Sequence, residues 1–179
     1  ALVLLKIAIY TLRCSASCHL TLGRFDRYME EYFNSKMKLF DMCKYAYINA
    51  DNIYTSKVTE LIKDKCKVET YGIDNYCDFL AKDVTITNTY ADFKAKIETR
   101  NERIKVSIPG RFSVYNALAA ICVSQKLGAS AENIKEALED IKVLGRSELV
   151  DNKLDLKIMI DYAHTPDSLE NILKTTLFL

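Results

Sequence analysis

An acid, a phenol and an imidazole lie within one four-residue run, as Asp161, Tyr162 and His164. The apolar run Ile158 to Ile160 comes just before them and predicts a buried strand, and Thr165-Pro166 comes just after them and predicts the start of a helix. The three side chains would then stand at the carboxyl end of a strand, where open α/β sheets bind their ligands. The run is therefore a candidate ligand site.

The segment Lys142 to Glu148 lacks strand or helix periodicity and contains Gly145, which predicts a linker between two α/β units. Arg146 lies in this linker, and a guanidinium there could bridge the units and hold a phosphate in a forked geometry. Taken alone, Arg146 is more often a surface arginine, and His164 a packing histidine. Their order along the chain favours a shared site.

Lys36 occupies an unusual position in the predicted helix 27–44, in the apolar stripe between Phe33 and Phe40. Burying an ammonium group costs free energy, so a lysine that faces the core is unusual. One alternative is a snorkelling side chain, with its stem on the core and its amine in water. The other alternative is a functional amine.

A Pro109-Gly110 turn leads into an Ala-rich helix predicted over residues 112–127. Such a start leaves the N-terminal N–H groups of the helix open to a ligand. Asn116, in its second turn, offers both a donor and an acceptor, which suits the edge of an adenine. The alternative is that its amide bonds to nearby backbone.

The remaining periodicity predicts further strands and helices around these positions. Strands are predicted at 1–12, 45–49, 67–71 (ended by Gly72) and 83–89, a hairpin at 93–98 and 103–108, and helices at 55–63 and after Ser130, with Gly128 ending the helix before it.

The composition is that of a soluble globular protein. The 179 residues are 49% hydrophobic and carry a net charge of +1. This charge does not indicate nucleic-acid binding, and the apolar segment at the start is too short to insert into a membrane. The six cysteines form no Cys-x-x-Cys pair, and Cys14, Cys18 and His19 make a weak metal cluster because the only other histidine is His164. We expect a cytoplasmic protein with reduced thiols.

Three runs together resemble the Mur ligases: Tyr32-x-x-x-Lys36, Gly145-Arg146-Ser147-Glu148 and Asp161 to Pro166. The resemblance implies an α/β fold. Residues 1–143 would be the second half of a central ATPase domain, a mixed sheet flanked by helices. Residues 144–179 would be the linker with the first strand and helix of a Rossmann-like C-terminal domain.

The resemblance is closest to the members that add the third stem-peptide amino acid to UDP-N-acetylmuramoyl-L-alanyl-D-glutamate in peptidoglycan synthesis. It implies an ATP-dependent ligase that works through an acyl phosphate and uses ATP and Mg²⁺. It also implies a role for each site residue. Lys36 would hold the metal as a carbamate, Asn116 would contact adenine, Arg146 and Asp161 would contact the nucleotide on domain closure, and Tyr162 and His164 would line the same cleft.

The chain departs from the family pattern at three points. It contains no G-x-x-x-x-G-K-[ST] phosphate loop, Leu22 stands where the family has a metal-binding histidine, and Ser113 stands where the family has the first of two asparagines. We therefore expect the chain by itself to be an inactive fragment that binds ATP weakly. A folylpolyglutamate synthase-like ligase and a non-catalytic binding fragment of the same fold are the alternatives.

Overall fold

The computed structural model describes residues 7–10, 30–31, 33–145, 147–154, 156, 158–164 and 166–176. The helices are α1 (residues 33–37, with 30–31 also helical), α2 (Thr55–Ile62), α3 (Arg111–Lys126), α4 (Ala131–Glu139) and α5 (Pro166–Thr176). The strands are β1 (Ile7–Tyr10), β2 (Tyr45–Asn49), β3 (Lys67–Gly72), β4 (Phe79–Leu80), β5 (Lys82–Ile86), β6 (Ala91–Ile97), β7 (Arg100–Val106), β8 (Glu148–Val150) and β9 (Ile158–Ile160).

The first sheet is parallel throughout, in the order β1-β2-β3-β4. Strand β2 is an interior strand, hydrogen-bonded on both sides, and its residues Ala46, Tyr47 and Ile48 are buried in succession. Such a continuous apolar run is typical of a parallel strand that is covered on both faces. Its bounds are those predicted from the sequence.

The two faces of β2 belong to different cores. Tyr47 packs into a large cluster with the buried residues of α3, whereas Ala46 and Ile48 pack into a second cluster with Phe33 and Phe40. This alternation follows from the two-residue period of a strand. Consequently α3 lies on one face of the parallel sheet, and α1 and α2 lie on the other.

The second sheet is antiparallel, in the order β5-β6-β7. Its central strand β6 buries alternate side chains, including Phe93 and Ile97, in the large cluster with α3 and α4. The hairpin between β6 and β7 is tighter than predicted, because its turn is Glu98–Thr99 alone. The polar run that predicted a longer loop, Arg100 to Glu102, pairs in β7 instead.

Helix α3 is placed between the two sheets and contacts β2, β3 and β6. Gly128 follows its end with φ +86°, the left-handed conformation that glycine adopts readily and that ends many helices. Ser130 begins α4 by accepting a hydrogen bond from the N–H of Asn133 at 3.3 Å. Both terminal signals were predicted correctly.

The C-terminal segment holds a two-stranded antiparallel sheet, β8 and β9, followed by α5. A strand is present at Ile158–Ile160 as predicted, but the prediction that it is buried was wrong, since Ile158 is 41% and Ile160 is 50% exposed. Within the described residues β9 pairs with β8 alone, so its apolar side chains are not enclosed. Strand β8 itself was not predicted.

Three predicted boundaries also differ. The helix predicted over 27–44 is α-helical only to residue 37, continues as a 3₁₀-helix over Lys38–Met42, and gives way to extended backbone at Cys43. Gly72 is the last residue of β3 rather than its breaker, and β5 ends at Ile86. These are end effects, where local propensity decides least.

Part of the sequence interpretation lies outside the described residues. The strand predicted at 1–12 is present where it is described, over Ile7–Tyr10. Leu22 and the weak cluster of Cys14, Cys18 and His19 cannot be placed. The four cysteines that the described part contains are all free thiols: Cys43, Cys66, Cys77 and Cys122.

None of the described helices has both the length and the apolarity that a membrane span needs.

Candidate functional site

The linker folds into a turn that is held by its own glutamate. Gly145 and Ser147 adopt left-handed backbone, with φ of +70° and +46°, and Glu148 accepts the N–H of Gly145 at 2.7 Å. Arg146, between them, lies outside the described residues, so its predicted role is not tested. The backbone on its N-terminal side is fixed by a carboxylate.

Asp161 fixes the backbone on the other side. One carboxylate oxygen accepts the N–H of Ser147 at 2.8 Å, and the other accepts the N–H of Ala163 at 2.7 Å. Asp161 therefore joins the loop after β9 to the linker. A carboxylate has about four acceptor positions, so these two bonds leave capacity for a ligand.

Tyr162 and His164 lie together on the surface. Their ring centroids are 4.7 Å apart at an interplanar angle of 62°, an edge-to-face pair, and Nδ1 of His164 is 2.8 Å from the carbonyl oxygen of Tyr162. Both side chains are exposed, and Tyr162 is 64% accessible. They are placed beside Asp161, as the sequence predicted.

A groove of about 380 Å³ runs along the linker. Ile108 and Pro109, just before α3, form one side of it, and the linker residues Leu144, Ser147 and Glu148 form the other. The groove thus lies between the residues just before α3 and the linker.

The start of α3 has no side-chain cap. Gly110 takes φ +97° and ψ 152°, a conformation close to glycine-only, and offers no side chain to the first turn. Ser113 is buried, and both its N–H and its hydroxyl donate to the carbonyl oxygen of Gly110, at 3.1 and 2.6 Å. The serine that departs from the family pattern therefore shapes the turn. Asn116, three residues later, is exposed.

Sequence reasoning missed a cluster around Asp51, in the turn after β2. Its carboxylate accepts backbone N–H groups from Ile73 at 2.6 Å, Asp74 at 3.1 Å and Asn75 at 2.7 Å, and the phenol of Tyr115 donates to it at 3.0 Å. The position of Asp51 in the sequence could have identified it, because an acid just after a parallel strand lies at the edge of the sheet where ligands bind.

Hydrogen bonding sets the ionisation of this cluster. Burial alone would raise the pKa of Asp51, but the N–H groups after β3 and the Tyr115 phenol outweigh it, so that pKa is lowered. Burial and the bond to Asp51 raise the pKa of Tyr115 to about 12. At neutral pH the pair is therefore a carboxylate and a protonated phenol.

Lys36 lies in a different place. It is half-buried on α1, between the buried residues Phe33 and Phe40, as the stripe predicted. Because α1 and α3 cover opposite faces of the parallel sheet, Lys36 and Asn116 are also on opposite faces. The described residues contain no group of three or more His, Cys, Asp or Glu side chains that could hold a metal.

The fold and the site define an α/β protein with a doubly covered parallel sheet, an uncapped helix start at its carboxyl edge, and a linker to a further α/β segment. Residues 19–124 match the Mur ligase middle domain, which is more than half of the chain. The chain belongs to the Mur ligase family. The resemblance read from its motifs is confirmed.

The relatives agree with this assignment. The chain is 44% identical over 151 residues to UDP-N-acetylmuramoyl-L-alanyl-D-glutamate--2,6-diaminopimelate ligase from Caldanaerobacter subterraneus subsp. tengcongensis, covering 84% of this chain and 31% of that protein. It thus spans about a third of the length of the curated relatives that it matches.

Solved structures show the same fold. A structure of a UDP-N-acetylmuramoyl-L-alanyl-D-glutamate--2,6-diaminopimelate ligase superposes with a TM-score of 0.72 at 25% identity, covering 96% of this chain and 35% of that one. A MurF ligase from Thermotoga maritima in complex with ADP gives a TM-score of 0.67 at 18% identity, covering 83% and 34%. The predicted fold class is confirmed: part of a Mur ligase middle domain followed by the start of a C-terminal domain.

Proposed function

We propose that this chain forms part of an ATP-dependent ligase that adds the third stem-peptide amino acid to UDP-N-acetylmuramoyl-L-alanyl-D-glutamate. The observation that carries the proposal is the 44% identity over 151 residues to a ligase named for that substrate. The same name gives 2,6-diaminopimelate, which is therefore the amino acid to test first. A cytoplasmic location and the division near residue 143 belong to the proposal.

The reaction has two steps. ATP transfers its terminal phosphoryl group to the free carboxylate of the precursor, which releases ADP and forms an acyl phosphate. The amine of the amino acid then attacks the acyl carbon, an amide forms, and phosphate leaves. Negative charge spreads over the transferring group, so cationic side chains near it lower the barrier. We assign that role to Arg146, whose flanking backbone is held by Glu148 and Asp161.

The nucleotide half of the site is assigned to the start of α3 and the loop after β9. Asn116 would pair with the adenine edge, and its exposure on α3 supports this. Asp161 would accept from the nucleotide with its remaining lone pairs, and the exposed rings of Tyr162 and His164 would line the cleft. An anionic phosphate would also gain from the uncapped helix start at Gly110.

Lys36 is assigned to magnesium as a carbamate. Its neutral amine would add carbon dioxide and release a proton, and the resulting anionic oxygens are hard ligands of the kind that Mg²⁺ prefers. Lys36 is half-buried, between Phe33 and Phe40 in the sequence of the helix. The described residues contain no cluster of three or more His, Cys, Asp or Glu side chains that could hold a metal, so Lys36 would be one ligand of a set completed elsewhere. Magnesium, when bound, neutralises phosphate charge.

A segment exchange tests the proposal. Residues 30–176 of this chain would replace the matching segment of the Caldanaerobacter subterraneus ligase, and amide formation from ATP, the UDP-linked dipeptide and diaminopimelate would be measured. We expect activity in the hybrid and none in the isolated chain, which lacks a phosphate loop. A hybrid that unfolds cooperatively and binds ATP but forms no amide would contradict the proposal. Precursor-dependent phosphate release by the chain alone would contradict only the expectation that the isolated chain is inactive. Use of a folate substrate instead would favour the alternative ligase.

A further inference from the structure

The carboxylate of Asp51 joins two segments that are far apart in sequence. On one side it accepts three consecutive backbone N–H groups, those of Ile73, Asp74 and Asn75, and the side-chain amide of Asn75 at 2.9 Å. These donors fix the loop after β3. On the other side it accepts the phenol of Tyr115 from α3. A single carboxylate thus holds the helix against the carboxyl edge of the sheet.

A second contact lies one helical turn earlier. Arg111 forms an ion pair with Asp74 at 2.5 Å, and its guanidinium carbon is 5.9 Å from the ring centroid of Tyr115. Residues four apart lie on the same face of a helix, so Arg111 and Tyr115 attach one face of α3 to the same loop. The two contacts fix both the position of the helix start along its axis and its rotation.

The carboxylate of Asp51 packs closely against Gly72. A Cβ atom built on Gly72, the last residue of β3, would lie 3.0 Å from Oδ2 of Asp51. Ordinary contacts to a side-chain carbon are longer than that, so a larger residue at Gly72 would have to displace the acid. The end of β3 and the turn after β2 are therefore fitted to each other.

We propose that Asp51 is a positioning residue of the nucleotide site, acting through Tyr115 on the neighbouring Asn116. This rests on the proposed function, in which Asn116 contacts adenine. The rest of α3 is held by its buried residues Val114, Leu118 and Ile121 in the large core. The Asp51 contact therefore governs the placement of the first two turns rather than the presence of the helix.

Adenosine binding to the 179-residue chain tests the proposal, with the side-chain amide signal of Asn116 followed by NMR. Tyr115→Phe removes the phenol oxygen that bonds to Asp51 but keeps the ring, and we expect the adenosine Kd to rise about 3- to 10-fold. Asp51→Asn changes both sets of contacts, and we expect at least a tenfold rise. Tyr76→Phe is the matched control, because Tyr76 is 99% exposed, and its Kd should equal that of the unaltered chain.

A variant in the other core separates positioning from stability. Val58→Ala removes buried side chain from α2, on the opposite face of the sheet, so it lowers the melting temperature but should leave the adenosine Kd unchanged. If the unaltered chain binds adenosine, and Tyr115→Phe and Asp51→Asn bind it equally well, the positioning role is wrong while the adenine assignment stands. If the unaltered chain shows no adenosine binding at millimolar concentration, both are wrong.

Discussion

Replacing Asn116 by alanine should separate nucleotide recognition from folding. The side chain is exposed in the interior of α3, where alanine is the more favourable residue by up to about 0.7 kcal/mol. Exposed substitutions generally change the free energy of unfolding by no more than about 0.5 kcal/mol. We therefore expect Asn116→Ala to leave the free energy of unfolding unchanged or to raise it slightly.

The affinity for adenosine should change much more. One amide can make two hydrogen bonds to an adenine edge, one as donor and one as acceptor. At a net of about 0.5–1.5 kcal/mol for each bond, their loss amounts to about 1–3 kcal/mol. Since 1.4 kcal/mol corresponds to a factor of ten, the Kd should rise about 5- to 150-fold.

Calorimetric titration with adenosine and urea unfolding, on the same preparations, measure the two quantities. Asn133→Ala is the matched control, because Asn133 is also exposed and also helical, on α4. It should change neither quantity by a measurable amount beyond the helix-propensity gain. An Asn116→Ala chain that loses more than about 1 kcal/mol of stability yet keeps its adenosine affinity would show that the amide is structural, and the adenine assignment would fail.

Three further outcomes follow from single positions. Gly110→Ala should cost about 1–3 kcal/mol of unfolding free energy, measured in urea, because φ +97° with ψ 152° is strained for any residue with a side chain, and an unchanged value would refute this. The pKa of Asp51 is lowered in the folded protein. Its contribution to the free energy of unfolding is therefore fully present above the unfolded pKa near 3.9. The difference in free energy of unfolding between the unaltered chain and Asp51→Asn should therefore be constant above about pH 5 and become smaller as the pH falls. A difference that does not change with pH would contradict this prediction. In ¹³C-bicarbonate the chain should show a carbamate signal that Lys36→Arg removes and Lys38→Arg retains.

The parallel core was predictable because its signals are local. Strand β2 reads as an unbroken apolar run between turn residues, and its observed bounds, Tyr45 to Asn49, are those predicted. The ends of α3 and α4 were predictable for the same reason, since Gly128 and Ser130 act on their own backbone and immediate neighbours. Elements with such self-contained signals need no knowledge of the rest of the fold.

The errors arose where pairing with another part of the chain, and not the composition of the segment itself, decides the structure. The run from Arg100 to Glu102 looks like a loop by composition, yet it pairs with β6 because the turn needs only two residues. The exposure of β9 depends on having β8 as its neighbour, which the sequence around Ile158 does not encode. Asp51 was missed because its partners lie 22 to 64 positions away. A single sequence gives no measure of such distances.

The two faces of the parallel sheet constrain how a single nucleotide could serve the proposed site. Lys36 belongs to the face covered by α1, and Asn116 belongs to the face covered by α3. Side chains on opposite faces of a hydrogen-bonded sheet cannot meet through it, so one ligand reaches both only by crossing an edge. The start of α3 is attached to the carboxyl edge through Asp51, in the turn after β2. A ligand that reaches both Asn116 and Lys36 would therefore have to pass the ends of β2 and β3, where Asp51 holds the start of α3. Asp51 lies at this edge of the sheet. Its carboxylate already accepts protein donors, so in the proposal it affects ligand binding by positioning α3 and not by touching the ligand.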